Sequence, residues 1–333
     1  MQTLIAKWTA AAVLVATTFT APFAAAAELN LVSYAVAKPV YSKIIPAFKK
    51  KYKADTGEDV KIVESYGPSG SQTRDILGGK PADILATNLP AYVDPLVEKG
   101  FVAANWNKRV PFGGSPVTSV IVLVTRDGNP KGIKDWTDLT KDGVEIVAIN
   151  PKTSGNARWG ILGGYAALAQ GGNAKAGEDY VRGLVKNTKT LVGGGREATD
   201  AFVKNRIGDV MLTFENEAKF ANKVGGQKLD YVSPETNLRV DFPVTIIDKN
   251  VDANGTRKAA EAFVNFLFTG EAQRIYAEAG YRPQDPKLAE QLAGDYAKVS
   301  KMLTVDDVGG WATADKLLFV DGALYDQAQA AGR

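Results

Sequence analysis

Apolar and polar positions alternate over residues 29–34 and again over 60–65, the period-two signature of a strand. Between these runs, Val40, Ile44, Ile45, Phe48 and Tyr52 recur at helical spacing, and Pro39 suits the first turn of that helix. The alternation of the two patterns continues down the chain. Short apolar runs at 82–86, 117–125, 144–149, 188–192, 208–214, 228–232 and 244–248 predict further strands. Helical spacing at 72–77, 92–98, 136–139, 159–170, 176–187 and 196–205 falls between them. From residue 257 onward the pattern reads as helical throughout, over 259–268, 271–279, 286–295 and 305–333. Strands alternating with helices predict an α/β fold with mostly parallel sheets. No repeat of solenoid length and no low-complexity linker divides the 333 residues, which suffice for two α/β lobes. Crossings between lobes are expected near 115–120 and 241–246. One lobe then comprises 28–117 with 243–300, the other 118–242, and 301–333 is a helical tail.

The joints between strands and helices carry small residues. Four such loops stand out, at 34–37, 67–70, 153–156 and 193–196. In the third, Ser154, Gly155 and Asn156 sit between an apolar strand and an Ala- and Gly-rich helix. The first N–H groups of a helix lack intrahelical partners, and the positive end of the helix dipole lies there. A small-residue loop at that point is therefore equally an ordinary capped helix start or an anion site. In an open α/β sheet the ligand lies beyond the carboxyl ends of the strands, where such loops gather. Two lobes facing each other would enclose an anion between helix N-termini. None of the four loops is a GxxxxGK[ST], GxGxxG or GxSxG motif.

Composition narrows the chemistry. The chain contains no cysteine and no histidine. Thiolate nucleophiles, disulfides, Ser-His-Asp arrangements and most zinc sites are thereby excluded. The formal net charge of +3 is too small to point to nucleic acid or a membrane surface. Residues 1–27 read as a secretory signal peptide: Lys7, an apolar run at 10–19, and the small residues 24–27. The alternative, a membrane anchor, asks for a longer span. A processed chain without cysteine has no site for lipid attachment and would be free in the periplasm.

Several segments resemble one family. Ser33-Tyr34, Gly67-Pro68-Ser69-Gly70-Ser71-Gln72, Arg126-Asp127-Gly128-Asn129-Pro130, the stretch from Asn150 through Pro151-Lys152-Thr153-Ser154-Gly155-Asn156-Ala157-Arg158, Gly208-Asp209-Val210 and Glu215-Asn216-Glu217 look like the periplasmic sulfate- and thiosulfate-binding proteins of ABC importers. Tyr281-Arg282-Pro283 and Gly309-Gly310-Trp311 resemble the C-terminal region of that family. The resemblance spans essentially the whole mature chain. It implies the type II periplasmic-binding-protein fold, with two lobes hinged about an interlobe anion site. It further implies contacts from the Ala35 N–H (many members have Asp here), the Ser69 hydroxyl, the Ser154 hydroxyl and N–H, and the N–H groups of Gly155, Asn156 and Gly195, the last where others have Ala. Phe214 stands where many sulfate-binding members carry Trp, whose indole N–H reaches the anion. The thiosulfate-binding members look similar to this chain at that point.

The expected function is therefore delivery of sulfate or thiosulfate to the membrane permease of an ABC importer, by a monomer, without a cofactor and without catalysis. Molybdate or phosphate is the alternative ligand. A secreted ester hydrolase and a purely structural protein are the alternative classes. Glu215 and Glu217 are expected to pair with Lys or Arg, because free carboxylates would repel a dianion. Arg158 orients its loop, counters the charge of the anion from behind its direct contacts, or forms a surface ion pair. With no histidine, no group in the donor set titrates between roughly pH 5 and 8.

Overall fold

The computed structural model describes residues 26–332 apart from 225 and 227. Residues 1–25, on which most of the signal-peptide reading falls, lie outside the described residues. The first alternating run forms the strand Ala27–Tyr34, at the heart of a four-stranded sheet. Val60–Gly67 and Ile84–Ala86 flank it in parallel, and Val244–Ile246 closes the edge antiparallel to Ile84–Ala86. The helix Lys38–Thr56 buries the residues whose spacing predicts it: Val40, Ile44, Ile45, Phe48 and Tyr52, together with Tyr41. It ends at Gly57, whose φ of 74° makes the left-handed cap that glycine alone adopts without strain. Phe48 packs edge-on against Phe263 of the helix Arg257–Phe266, with ring centroids 4.9 Å apart.

A second sheet has five strands in the order Thr188–Val192, Ile146–Ile149, Val210–Phe214, Ile121–Arg126, Leu229–Val232. The first three run parallel to one another, and the last two pair antiparallel. Only part of each sheet is thus parallel. Strands joined through a helix obey the parallel crossover rule. Ile121–Arg126 instead follows directly from a strand between the sheets.

That connection splits the apolar run at 117–125. Val117–Ser119 pairs antiparallel with Val240–Asp241 on one side and Arg282–Pro283 on the other, forming a small sheet between the two large ones. Val120 interrupts the run, and Ile121–Arg126 then enters the second sheet. Strands of two or three residues are too short to show a period. This accounts for four that pattern alone does not reveal: Thr236–Leu238, Val240–Asp241, Arg282–Pro283 and Lys301–Leu303. Two of these interrupt the region expected to be helical throughout. The helices Glu215–Val224 and Asp248–Asn254 were likewise unsignalled, since no Gly, Pro or loop cluster separates them from the strands before them.

Glycines allow the second lobe to close around its central helix, Gly155–Leu168. A Cβ on Gly164 would overlap the ring of Tyr180, whose hydroxyl donates to the Gly160 carbonyl at 3.2 Å. Tyr180 is fully buried and has no room to retreat. Gly164→Ala is therefore expected to lower stability by about 1–3 kcal/mol in chemical denaturation, the usual cost of overpacking. Gly294, which has open space around it, should accept Ala within about 0.5 kcal/mol.

Candidate functional site

The four small-residue loops meet in facing pairs. Gly67–Gly70 of the first lobe lies against 153–156 of the second: the Gly70 N–H donates to the Thr153 carbonyl at 3.0 Å. The loop at 34–37 lies against 193–196: a Cβ on Gly195 would stand 2.9 Å from Val36 Cγ2. The Thr153 hydroxyl joins the two loops of the second lobe through the Gly193 carbonyl, at 2.7 Å. Three helices start within this junction, Ser69–Leu77, Gly155–Leu168 and Gly195–Val203, and a 3-10 turn starts at Ala35.

Each residue expected in the site has a definite place. Ser69 is buried at the first position of its helix, and its Oγ accepts from the Asn88 N–H at 3.4 Å. Its own proton remains free to be donated. Ser154 is the buried N-cap of the helix Gly155–Leu168, yet its hydroxyl makes no capping bond. The Ser154 N–H, expected to face the ligand, instead donates to the Asn150 carbonyl at 3.0 Å. The tight turn of the loop uses that group, so Ser154 retains only its hydroxyl for a ligand. Gly155 abuts the opposite lobe so closely that a Cβ would overlap Asn88 Oδ1. Asn156 is buried and donates through Nδ2 to Thr213 Oγ1 at 3.1 Å. Ala35 is half-buried at the start of the 3-10 turn that follows the strand Ala27–Tyr34. Phe214 is fully buried and stands edge-on to Phe242 at 5.0 Å. Phe242 in turn stacks on Tyr34 at 5.4 Å, so Phe214 belongs to the aromatic wall beside the loops.

Pattern reading missed a fifth loop. Thr87 and Asn88 follow the strand Ile84–Ala86 as the other loops follow theirs. Both are buried, and Thr87 Oγ1 and Asn88 Oδ1 have no protein partner; nor does Ser33 Oγ beside them in the sheet. Buried polar atoms are ordinarily paired. A cluster of unpaired ones between two lobes fits a polar ligand. The position of Thr87 and Asn88 just after a strand end was the available signal. Asn88 also links the lobes, since its carbonyl accepts from Trp159 Nε1 at 2.5 Å.

Charged groups stand behind the loops in pairs. Arg282 meets Glu215 at 2.8 Å and Arg196 meets Glu217 at 3.2 Å, both acids being buried. Arg158 donates to the Pro151 carbonyl and to Asp315, so it orients its loop. Glu217 also accepts from the Thr199 hydroxyl at 2.5 Å, and that hydroxyl is within bonding distance of the Gly195 carbonyl. Burial pushes the Glu217 carboxyl up to about 7, against the opposing pull of Arg196 and Thr199. A titrating group thus lies just behind the donor set, although none was expected within it. Among the described residues, no group of three acidic side chains gathers in a way that could hold a metal ion.

The model of the bacterial extracellular solute-binding protein family matches residues 29–282. A sulfate-binding protein of Synechococcus elongatus is 44% identical over 306 residues, which cover 91% of this chain and 87% of that one. A thiosulfate-binding protein of Pseudomonas aeruginosa is 39% identical over 306 residues, covering 91% and 92%. The solved structure of the sulfate-binding protein SubI from Mycobacterium tuberculosis superposes with a TM-score of 0.81 at 38% identity, over 88% of this chain and 100% of that one.

Glu217 has a consequence for stability. In the unfolded chain it ionises near its ordinary value of 4.5, in the folded protein only near 7. Between these values the folded state holds more protons, so this group's contribution to stability falls as pH rises through the window and levels off above it. Glu217→Gln removes the dependence. Denaturation of parent and variant at pH 4.5 and pH 8 should show the difference moving in favour of the variant by up to about 3 kcal/mol.

Proposed function

Because this chain belongs to the bacterial extracellular solute-binding proteins, and among them to the sulfate- and thiosulfate-binding proteins of ABC importers, we propose that it captures sulfate or thiosulfate between its lobes and delivers it to a membrane permease. The observation that carries this reading is the meeting of helix N-termini and buried neutral hydroxyls from both lobes, with Arg196, Arg282, Arg158 and Lys152 each beside a carboxylate. The donors are the N–H groups of Ala35, Gly155, Asn156 and Gly195 and the hydroxyls of Ser69 and Ser154. Ser69 is well set for this role, since Asn88 already donates to its oxygen.

A hydrogen bond to a charged acceptor contributes about 1.5–3 kcal/mol net. Six such donors offset the desolvation of a dianion without a salt bridge. The protein acts by binding and release, as the binding proteins it resembles do by their names. Segments 28–117 with 243–300, and 118–242, act as the two lobes. They turn about the paired strands Val117–Ser119 and Val240–Asp241. The signal peptide, 1–27, directs a monomer to the periplasm and is removed there.

Calorimetric titration with sulfate, thiosulfate, molybdate and phosphate tests the reading directly. Tight binding of neither sulfate nor thiosulfate would overturn it. Ser69→Ala and Ser154→Ala should each weaken binding about tenfold or more; Ser154→Ala should leave the ligand-free melting temperature nearly unchanged, whereas Ser69→Ala should lower it, because the buried Asn88 N–H loses its acceptor. Undiminished affinity in both would place the ligand elsewhere. Phe214→Trp adds an indole donor to the wall, and a sulfur atom is a poorer acceptor than the oxygen it replaces. The variant should shift the affinity ratio toward sulfate, and an equal change for both ligands would reduce Phe214 to packing.

A further inference from the structure

The chain beyond residue 300 lies outside the part matched by the family model, which ends at residue 282. It begins by adding Lys301–Leu303 alongside Thr236–Leu238, which ties it to the second lobe. It ends with the helix Leu324–Ala331, whose buried Leu324, Tyr325 and Ala328 seat it in the core. Between these anchors it runs over the loop that carries Ser154, Gly155 and Asn156. Lys152 of that loop donates to the Phe319 carbonyl at 2.8 Å, to Asp321 at 3.1 Å and to Asp326 at 3.0 Å. Arg158 pairs with Asp315 at 2.8 Å.

The same segment backs the two residues of the second lobe that touch the first. The Arg158 guanidinium lies 5.2 Å from the ring of Phe319 and 5.3 Å from the ring of Tyr92. Trp311 stands edge-on to Trp159 at 4.7 Å, and Trp159 in turn donates across to Asn88. Tyr92 and Asn88 belong to the first lobe, Arg158 and Trp159 to the second. The Arg158–Tyr92 contact and the Trp159 bond can both be complete only when the lobes are together.

We propose that residues 311–326 form a strap that braces Arg158 and Trp159 against the first lobe and so latches the lobes closed, with Arg158 and Phe319 as positioning residues for the closed state. Its ligand-dependent part rests on the anion-binding reading above. Both ends of the strap are held by the second lobe, so opening breaks the contact of Arg158 to Tyr92 and leaves the strap in place. The tethering of Lys152 and Arg158 to strap carboxylates has a second effect: it keeps two cations beside the anion loop from contacting the ligand.

The absence of native cysteine makes the test clean. Lys50→Cys on the helix Lys38–Thr56 and Lys175→Cys on the helix Ala174–Lys186 place one exposed spin label on each lobe. Interlobe distances are then read by electron–electron double resonance across a sulfate titration. Phe319→Leu keeps apolar bulk and loses the ring, and Arg158→Lys keeps the charge and loses the planar face. Each should raise the sulfate concentration that half-populates the short distance by about five- to tenfold. A midpoint equal to the parent's in both overturns the latch and leaves the anion reading standing. If neither sulfate nor thiosulfate shortens the distance in the parent, the anion reading falls instead. The latch is then decided in the ligand-free protein, where Phe319→Leu must lengthen the distances to support it and identical distributions overturn it.

Discussion

The structure depends on how closely two sheets approach at their strand ends. The Gly70 N–H bonds to the Thr153 carbonyl across the lobes, and Gly155 and Gly195 lie where any Cβ would collide with Asn88 or Val36. Only because these positions lack a side chain can three helix N-termini and the turn at Ala35 converge on one place. A helix start left without partners is unfavourable when buried. Several of them gathered at one junction offer a set of donors that suits a dianion.

Neutrality follows from the same closeness. A free cation at the junction would bind an anion tightly but would be left buried and uncompensated once the ligand departed. Here Arg196, Arg282, Arg158 and Lys152 each have a carboxylate. Their charge is balanced within the protein whether or not a ligand is present. The Glu217 carboxyl shows the cost of this arrangement, since burial opposes its ionisation despite Arg196 and Thr199. Hydroxyls and peptide N–H groups carry no such penalty in the empty state, because water can satisfy them.

The chain passes between the two large sheets at Val117–Ser119 and again at Val240–Asp241, and these two passages pair with each other. Arg282–Pro283 adds a third strand to that pair. The aromatic wall of Tyr34, Phe214, Phe242 and Tyr281 packs beside it, with the Tyr34 and Tyr281 hydroxyls in mutual contact at 3.1 Å. Large rigid rings fill this region at little entropic cost.

Local pattern alone determined the α/β class, the long helix after the first strand and the small-residue loops at strand ends. Each of these is written in neighbouring residues: a period of two, a spacing of three or four, a glycine where a side chain would crowd. The absence of histidine and cysteine limited the chemistry in the same direct way. What tertiary structure decided has no local signature. Strands of two or three residues exist only because a distant partner completes their hydrogen bonds, so Val240–Asp241 and Arg282–Pro283 were invisible. The Ser154 N–H was spent on Asn150 by the geometry of the turn. Thr87 and Asn88 became part of the junction because the sheet order set their strand beside Ala27–Tyr34. Arg158 had three readings in the sequence, and only the return of residues 315–319 to its side chain supplied Asp315 as its carboxylate partner, alongside the Pro151 carbonyl that it also holds. A charge and its partner separated by 157 residues of chain are joined by the fold, not by spacing.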